Sequence, residues 1–316
     1  MSKLRTFLLA PLLALGCVTP ARGGGPMAQA PEGFWDTWGD GQAELDGYRL
    51  VQPRYGAPRT GEAVLVYVTE TFTEGQRLKS DGGHPDEFPV IKLNDARAFD
   101  TGIYPYHLLT STFVRLDGHD PFGATTKVTA SVQEWCGHVW DQLVLGRAGY
   151  ARSRKGYFDG EGDLDERLAQ PDGGIVGDAL FLWVRGVAGP WLAPGESRTV
   201  PWLPRLTDVR LGHDPLVWAE AQVSRGATAA PITVPAGRFE ADVYTVVADV
   251  TTTVWVETAA PHRIVRWERS DGETGTLTGS ARRKYWQEHD PGDEALRATL
   301  GLAVPAPVAA APAPPQ

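Results

Sequence analysis

Between Val234 and Trp286 apolar and polar positions alternate in four runs that strands explain and a helical period does not. Phe239 to Val250, Thr251 to Thr258, His262 to Arg269 and Thr274 to Ala281 are rich in Val, Thr, Tyr and Trp. Their connections are short, as at Ser270-Asp-Gly-Glu273, so they predict an antiparallel meander; parallel neighbours would need a crossover of about a dozen residues. Earlier runs repeat the style at Tyr48 to Pro53, Glu62 to Thr73, Val90 to Asp100, Gly102 to Leu116, Thr125 to Val139, Gln142 to Arg152 and Arg154 to Phe158. The period changes between Gly160 and Leu192, where Leu164 to Ala169 and Val176 to Val187 predict helices between Gly and Pro clusters. Thr199 to Leu203, Thr207 to Leu211 and Leu216 to Ser224 return to strand patterns. The expected fold is mainly β, with large antiparallel, curved or barrel-like sheets and a small helical insert. The insert, 159–192, is expected to divide a β-rich half at 32–158 from the meander half at 193–290.

The chain ends change this picture. Lys3 and Arg5 precede an apolar run from Phe7 to Leu15, the pattern of a secretory signal over 1–16. It closes on Ala14-Leu-Gly-Cys17, which approximates a lipobox and makes Cys17 the expected lipid attachment site; the alternative is ordinary cleavage nearby, with Cys17 discarded. Residues 17–31 read as a Gly/Ala/Pro tether and 291–316 as a disordered Ala/Pro tail. Cys17 and Cys136 are the sole cysteines, so a lipidated Cys17 leaves no intramolecular disulfide and the fold rests on its core. Loss of Lys3 and Arg5 with the signal moves the formal charge from −9 to −11. An acidic chain without a basic cluster argues against a nucleic-acid partner. The expected location is the bacterial envelope on the periplasmic side, anchored at the outer membrane; no pattern specifies an oligomeric state.

Candidate chemistry concentrates in two stretches. In Glu134-Trp-Cys-Gly-His-Val-Trp-Asp141 a continuous strand would place Glu134, Cys136 and His138 on one face, a conceivable thiol site. Gly137 can break that alternation, and the blander alternative is a Cys136 packed as a small apolar residue. In Tyr104-Pro-Tyr-His107, followed by Thr110, Ser111 and Thr112, aromatics interleave with hydroxyls as in a lipid or glycan pocket; Tyr104, Tyr106 and His107 are therefore candidate ligand-binding residues with Glu134, Cys136 and His138. His-Asp-Pro recurs at His119, His213 and His289, which reads as turn chemistry rather than as metal ligation, because neighbours on a strand face opposite ways. No Walker loop, dinucleotide fingerprint, Gly-x-Ser-x-Gly or His-Glu-x-x-His occurs, so neither cofactor nor metal is expected.

The order Val234-Pro-Ala-Gly-Arg-Phe239, two strands, then Pro261-His-Arg-Ile-Val-Arg-Trp-Glu268 resembles the closing half of an uncharacterised family of bacterial periplasmic proteins of lipocalin- or LolA-like shape. The stretch from Phe34-Trp-Asp-Thr-Trp-Gly-Asp-Gly41 to Tyr104-Pro-Tyr-His107 is similar to bacterial envelope proteins, lipoproteins among them, sometimes labelled septum formation inhibitor Maf. The Ser-x-Ser-Pro-Arg-Arg loop of true Maf pyrophosphatases has no match between Met1 and Tyr67. The resemblance implies fold and compartment. It favours a non-catalytic envelope protein that binds a hydrophobic or envelope-derived ligand in the concavity of its sheet. The alternatives are a hydrolase built on Glu134, Cys136 and His138, and a structural scaffold or adaptor.

Overall fold

The computed structural model describes residues 27–306; the expected signal segment, Cys17 and most of the tether lie outside them. In chain order the elements are β1 (Met27–Gln29), α1 (Phe34–Trp38), β2 (Ala43–Arg54), β3 (Ala57–Thr73), β4 (Glu87–Thr101), β5 (Tyr104–Arg115), β6 (Asp117–Pro121), β7 (Lys127–Glu134), β8 (Gly137–Gly146), β9 (Gly149–Lys155), β10 (Leu164–Leu168), β11 (Ile175–Val176) and α2 (Leu180–Val184). They continue with β12 (Ser197–Leu203), α3 (Leu206–Gly212), β13 (Ala219–Arg225), β14 (Ala230–Val234), β15 (Gly237–Val247), β16 (Thr252–Glu257), β17 (Ile264–Arg269) and β18 (Thr274–Arg283).

The mainly β, antiparallel, barrel-like expectation holds. Sixteen strands form one sheet that runs from β10 through β9, β8, β7, β5, β4, β3 and β2 to β18, then through β17, β16, β15, β13 and β12 to β11, with β14 paired to β15. Every pair is antiparallel except β11 with β12. The two expected halves are not separate sheets, because β2 pairs with β18 from Thr274↔Val51 to Arg283↔Ala43. Inward residues of early strands (Leu65, Leu93) and late ones (Val223, Val254) share a single core. β10 and β11 are the two edge strands; at the seam beside them Val176 N of β11 donates to Gly123 O, between β6 and β7 (3.2 Å), and Trp218 Nε1, just ahead of β13, to Ala169 O, just after β10 (2.7 Å).

Four local expectations are corrected. Leu164 to Ala169 is not helical: its five ordered residues pair with β9 as β10, and Arg152 reaches across to Glu166 (2.8 Å), a contact worth more than the marginal propensity of so short a helix. Thr207 to Leu211 is not a strand but lies in α3, because Leu206, Val209 and Arg210 recur at helical spacing on its buried side. The segment Val176 to Val187 is helical over a short stretch, the 3-10 turn Gly177–Ala179 and α2, and every residue of α2 is buried. Trp183 and Leu182 are fully buried in the core that the sheet encloses, so the insert plugs the concavity.

The fourth correction concerns the ends. Asp293–Leu300 forms a 3-10 helix whose Leu300, with Leu302, packs against Leu45, Val66 and Val68 on the outer face. Gly47 and Gly279 permit that approach: a Cβ on Gly47 would stand 2.2 Å from Leu300 O, and one on Gly279 2.5 Å from Thr299 O. At the other terminus Ala28 is buried and Gln29 N donates to Ala188 O (3.1 Å), so residues 27–29 belong to the fold rather than to a tether.

Hairpin alternation sends the turns after β2, β4, β7, β15 and β17, and the connection carrying α3, to one end of the barrel. That end holds both groups of residues described next.

Candidate functional site

The sequence candidates assemble only in part. Trp135 and Cys136 are not strand residues but the two-residue tip of the β7–β8 hairpin, with Glu134 opposite Gly137. The alternation that would have aligned Glu134, Cys136 and His138 therefore ends at Glu134. Cys136 is exposed, neither packed nor held against an imidazole. Its thiol is pushed up by a hydrogen bond to Glu134 and by that carboxylate's charge, the reverse of what a thiolate nucleophile requires. Glu134 also accepts from the Cys136 amide (2.6 Å).

His107 and His138 leave the barrel. Their strand neighbours Tyr106, Leu108 and Val139 are buried, so alternation turns both imidazoles outward, where the register His107↔Gln133↔His138 sets them on the exterior with Gln133 between. Tyr104 and Tyr106 point the other way and meet the hairpin tip. The Tyr104 and Trp135 rings lie 6.1 Å apart, and Tyr106 stacks on Phe99 at 5.1 Å. Tyr55 Oη lies 2.7 Å from Tyr106 Oη and accepts from Tyr104 Oη (3.3 Å), which raises the Tyr104 phenol. Arg54 Nη1 donates to Leu211 O (2.7 Å), tying this aromatic rim to one flank of α3.

The other flank of α3 roofs a cavity of about 310 Å³. Its apolar walls come from Leu180, Phe181, Trp202, Val209, Val217 and Trp267. Six charged side chains stand together along and behind one wall. Glu273, 1% exposed, accepts from Trp267 Nε1 (2.8 Å) and from Arg205 Nη2 (2.7 Å), with Arg97 Nη1 also at 2.8 Å. Arg97 forks onto Asp95 at 2.8 and 2.7 Å, Arg205 onto Asp208 at 2.9 and 2.6 Å, and Arg269 Nη2 reaches Asp208 at 3.0 Å. Such planar forks give buried carboxylate pairing its geometric specificity. Burial would raise Glu273, but Arg205, Arg97 and Arg269 together hold it well below the usual carboxylate range; Arg205 and Arg269 also lower Asp208 against its burial.

Asp178 is the exception in this cavity. Residing in the 3-10 turn ahead of α2, its carboxylate meets the Leu206 amide at 3.3 and 3.2 Å, at the start of α3. Among the described residues no guanidinium is bonded to it. Burial pushes its carboxyl up to about 7, against the lowering effects of the Leu206 amide and Arg205. A cleft carboxyl perturbed this far, beside three tryptophan and phenylalanine rings, is a stronger functional candidate than the exposed hairpin. Sequence reasoning missed it because Asp95, Asp178, Arg205 and Glu273 come from four distant segments, each unremarkable by itself. The Pro204-Arg-Leu206 break was the one local signal.

A second cavity of about 590 Å³ opens at the seam among Met27, Phe122, Ile175, Trp191 and Val200. Among the described residues no group of three or more His, Cys, Asp or Glu is placed to hold a metal ion.

Fold and site together define a barrel-like antiparallel β protein with an interior plug and a roofed cavity at one end. No family model and no curated protein matches the chain. Among solved structures it is similar to a beta-barrel-like protein of domain of unknown function DUF1849 from Brucella abortus, at 12% identity over 76% of this chain and 98% of that one, with a TM-score of 0.41.

Proposed function

We propose that the protein is a non-catalytic binding protein of the bacterial envelope, whose ligand places an apolar portion in the cavity beneath α3. The carrying observation is that cavity: about 310 Å³, walled by Trp202, Trp267 and Phe181, with a few polar groups at fixed positions. Its volume lies at the lower end of the range for small-molecule sites. Export and lipid anchoring belong to the same reading and are supported by Lys3, Arg5, the Phe7 to Leu15 run and Cys17. Outer-membrane attachment facing the periplasm follows the same pattern.

Native mass spectrometry of the protein released from its own membrane tests both parts. A co-purified amphiphile, lost on Phe181→Ala or Val209→Trp substitution, is the expected result. Absence of any adduct, together with unchanged tryptophan emission on titration with long-chain lipids, overturns the binding reading. For the anchor, Cys17→Ser should move the protein from the membrane to the soluble periplasmic fraction; unchanged partition sinks that part.

A further inference from the structure

The cavity's charge arrangement goes further than its size. Resting on the binding reading above, we propose that the ligand is cationic, an ammonium group attached to an apolar body, with the ammonium set against Asp178 and the apolar body against Trp202, Trp267 and Phe181.

The charges in and behind the cavity wall differ in how far they are already engaged. Two guanidinium groups line the cavity, those of Arg205 and Arg269, and Arg97 stands behind them. None is available to a ligand. Arg205 is forked onto Asp208 and also bonded to Glu273, Arg97 is forked onto Asp95 with its remaining nitrogen on Glu273, and Arg269 is shared between Asp208 and Asp271. An anionic head group entering here would have to displace a carboxylate from a buried fork, with the desolvation loss that carries.

The carboxylates are not all engaged. Asp178 is 9% exposed, faces the cavity and bonds to one backbone amide, with no cation of its own. Asp214 and Asp249, exposed where the cavity opens, make no ion pair with any described residue. The lining therefore presents three uncommitted carboxylates and no uncommitted guanidinium. A buried carboxylate without a counter-charge gains far more from an arriving cation than a surface one does, because its surroundings screen weakly. The raised Asp178 carboxyl agrees with this: the folded protein leaves that charge uncompensated. Trp202 and Phe181 supply ring faces of the kind that accept alkylammonium groups.

Three probes of one chain length separate the outcomes: n-octyltrimethylammonium, n-octanesulfonate and 1-octanol, each titrated calorimetrically below its aggregation threshold. The expected result is that the ammonium binds at least tenfold more tightly than the sulfonate. Asp178→Asn should weaken the ammonium at least fivefold and leave octanol unchanged. The exposed pair Asp214→Asn/Asp249→Asn, which touches no core contact, should weaken the ammonium two- to threefold and provides a readout should the Asp178 variant misfold. Sulfonate binding as tight as ammonium, or an ammonium affinity indifferent to both variants, overturns the cationic assignment while leaving a ligand cavity in place. Failure of all three probes overturns the cavity reading itself.

Discussion

The barrel presents two regions at the same end, on opposite flanks of α3, that use similar residue types to different effect. At the hairpin rim Tyr55, Trp135 and Cys136 are exposed, and the few hydrogen bonds there run among phenols, Arg54 and a carbonyl. In the cavity wall Arg97, Glu273 and Asp208 are enclosed or nearly so and bonded at almost every polar atom. The rim can lose a side chain to water with little consequence. The wall cannot, because removing one partner strands buried charges.

The largest test of this contrast is Glu273→Ala against Trp135→Ala. Glu273 compensates Arg205 and Arg97 and receives the Trp267 indole, so its loss should lower stability toward the upper end of the roughly 3–5 kcal/mol typical of a broken buried pair. Trp135 is 68% exposed and should change stability by no more than about 0.5 kcal/mol. Urea denaturation of both variants reads the difference directly; comparable losses would erase the distinction between the two regions. The Glu273 contribution is present above its unfolded pKa near 4.5 and lost as pH falls through its lower folded value.

Asp178 has the opposite sign. Its folded pKa of about 7 lies above the unfolded value of 3.8, so between those limits the unfolded state releases the proton first and stability falls as pH rises. The destabilisation is complete above pH 7 and amounts to about 4 kcal/mol. Asp178→Asn should remove this slope, so that the variant gains on the parent between pH 4 and pH 8. A parallel pair of stability profiles would refute the assignment.

How much of this was visible in the chain follows from where the determining contacts lie. Strands such as Glu62 to Thr73 and the meander after Val234 were legible because alternation is written in consecutive residues. Register closure of β2 on β18 was not, since it joins segments more than two hundred residues apart. The same reason hides the cavity network, whereas the rim was half legible: Tyr104, Tyr106 and Glu134 do gather with Trp135, but Gly137 marks the end of a hairpin turn that turns His138 outward and lifts Cys136 to the tip. Thr207 to Leu211 misled because Thr207, Val209 and Leu211 alternate with Asp208 and Arg210 over a stretch too short to distinguish the two periods, and α3 is set by what it packs on: Asp178 below its first amide and Arg54 on the Leu211 carbonyl.

A smaller effect sharpens the rim side. Tyr106 Oη bonds to Tyr55 Oη and accepts from Arg54 Nε at 3.4 Å, while its ring stays stacked on Phe99. Tyr106→Phe keeps the ring and removes the bonds, so the expected loss is about 1 kcal/mol, with Arg54 still held by Leu211 O. A loss as large as that of Glu273→Ala would show that the rim, too, is a buried network.

The smallest expected effect concerns Cys136 and involves no stability at all. Glu134 raises its thiol by a direct hydrogen bond and by charge, and the hairpin tip leaves the sulfur open to reagents. Alkylation rate at pH 8 follows the thiolate fraction, so Glu134→Gln should accelerate the reaction of Cys136 with iodoacetamide several-fold, and the gain should shrink at higher pH as both forms ionise. Equal rates for the parent and the variant at pH 8 would mean that the carboxylate does not govern the thiol. The acceleration would place Cys136 among thiols that the fold quiets by a neighbouring carboxylate, whereas in the cavity Asp95 and Asp208 are held by arginine and Asp178, Asp214 and Asp249 are not.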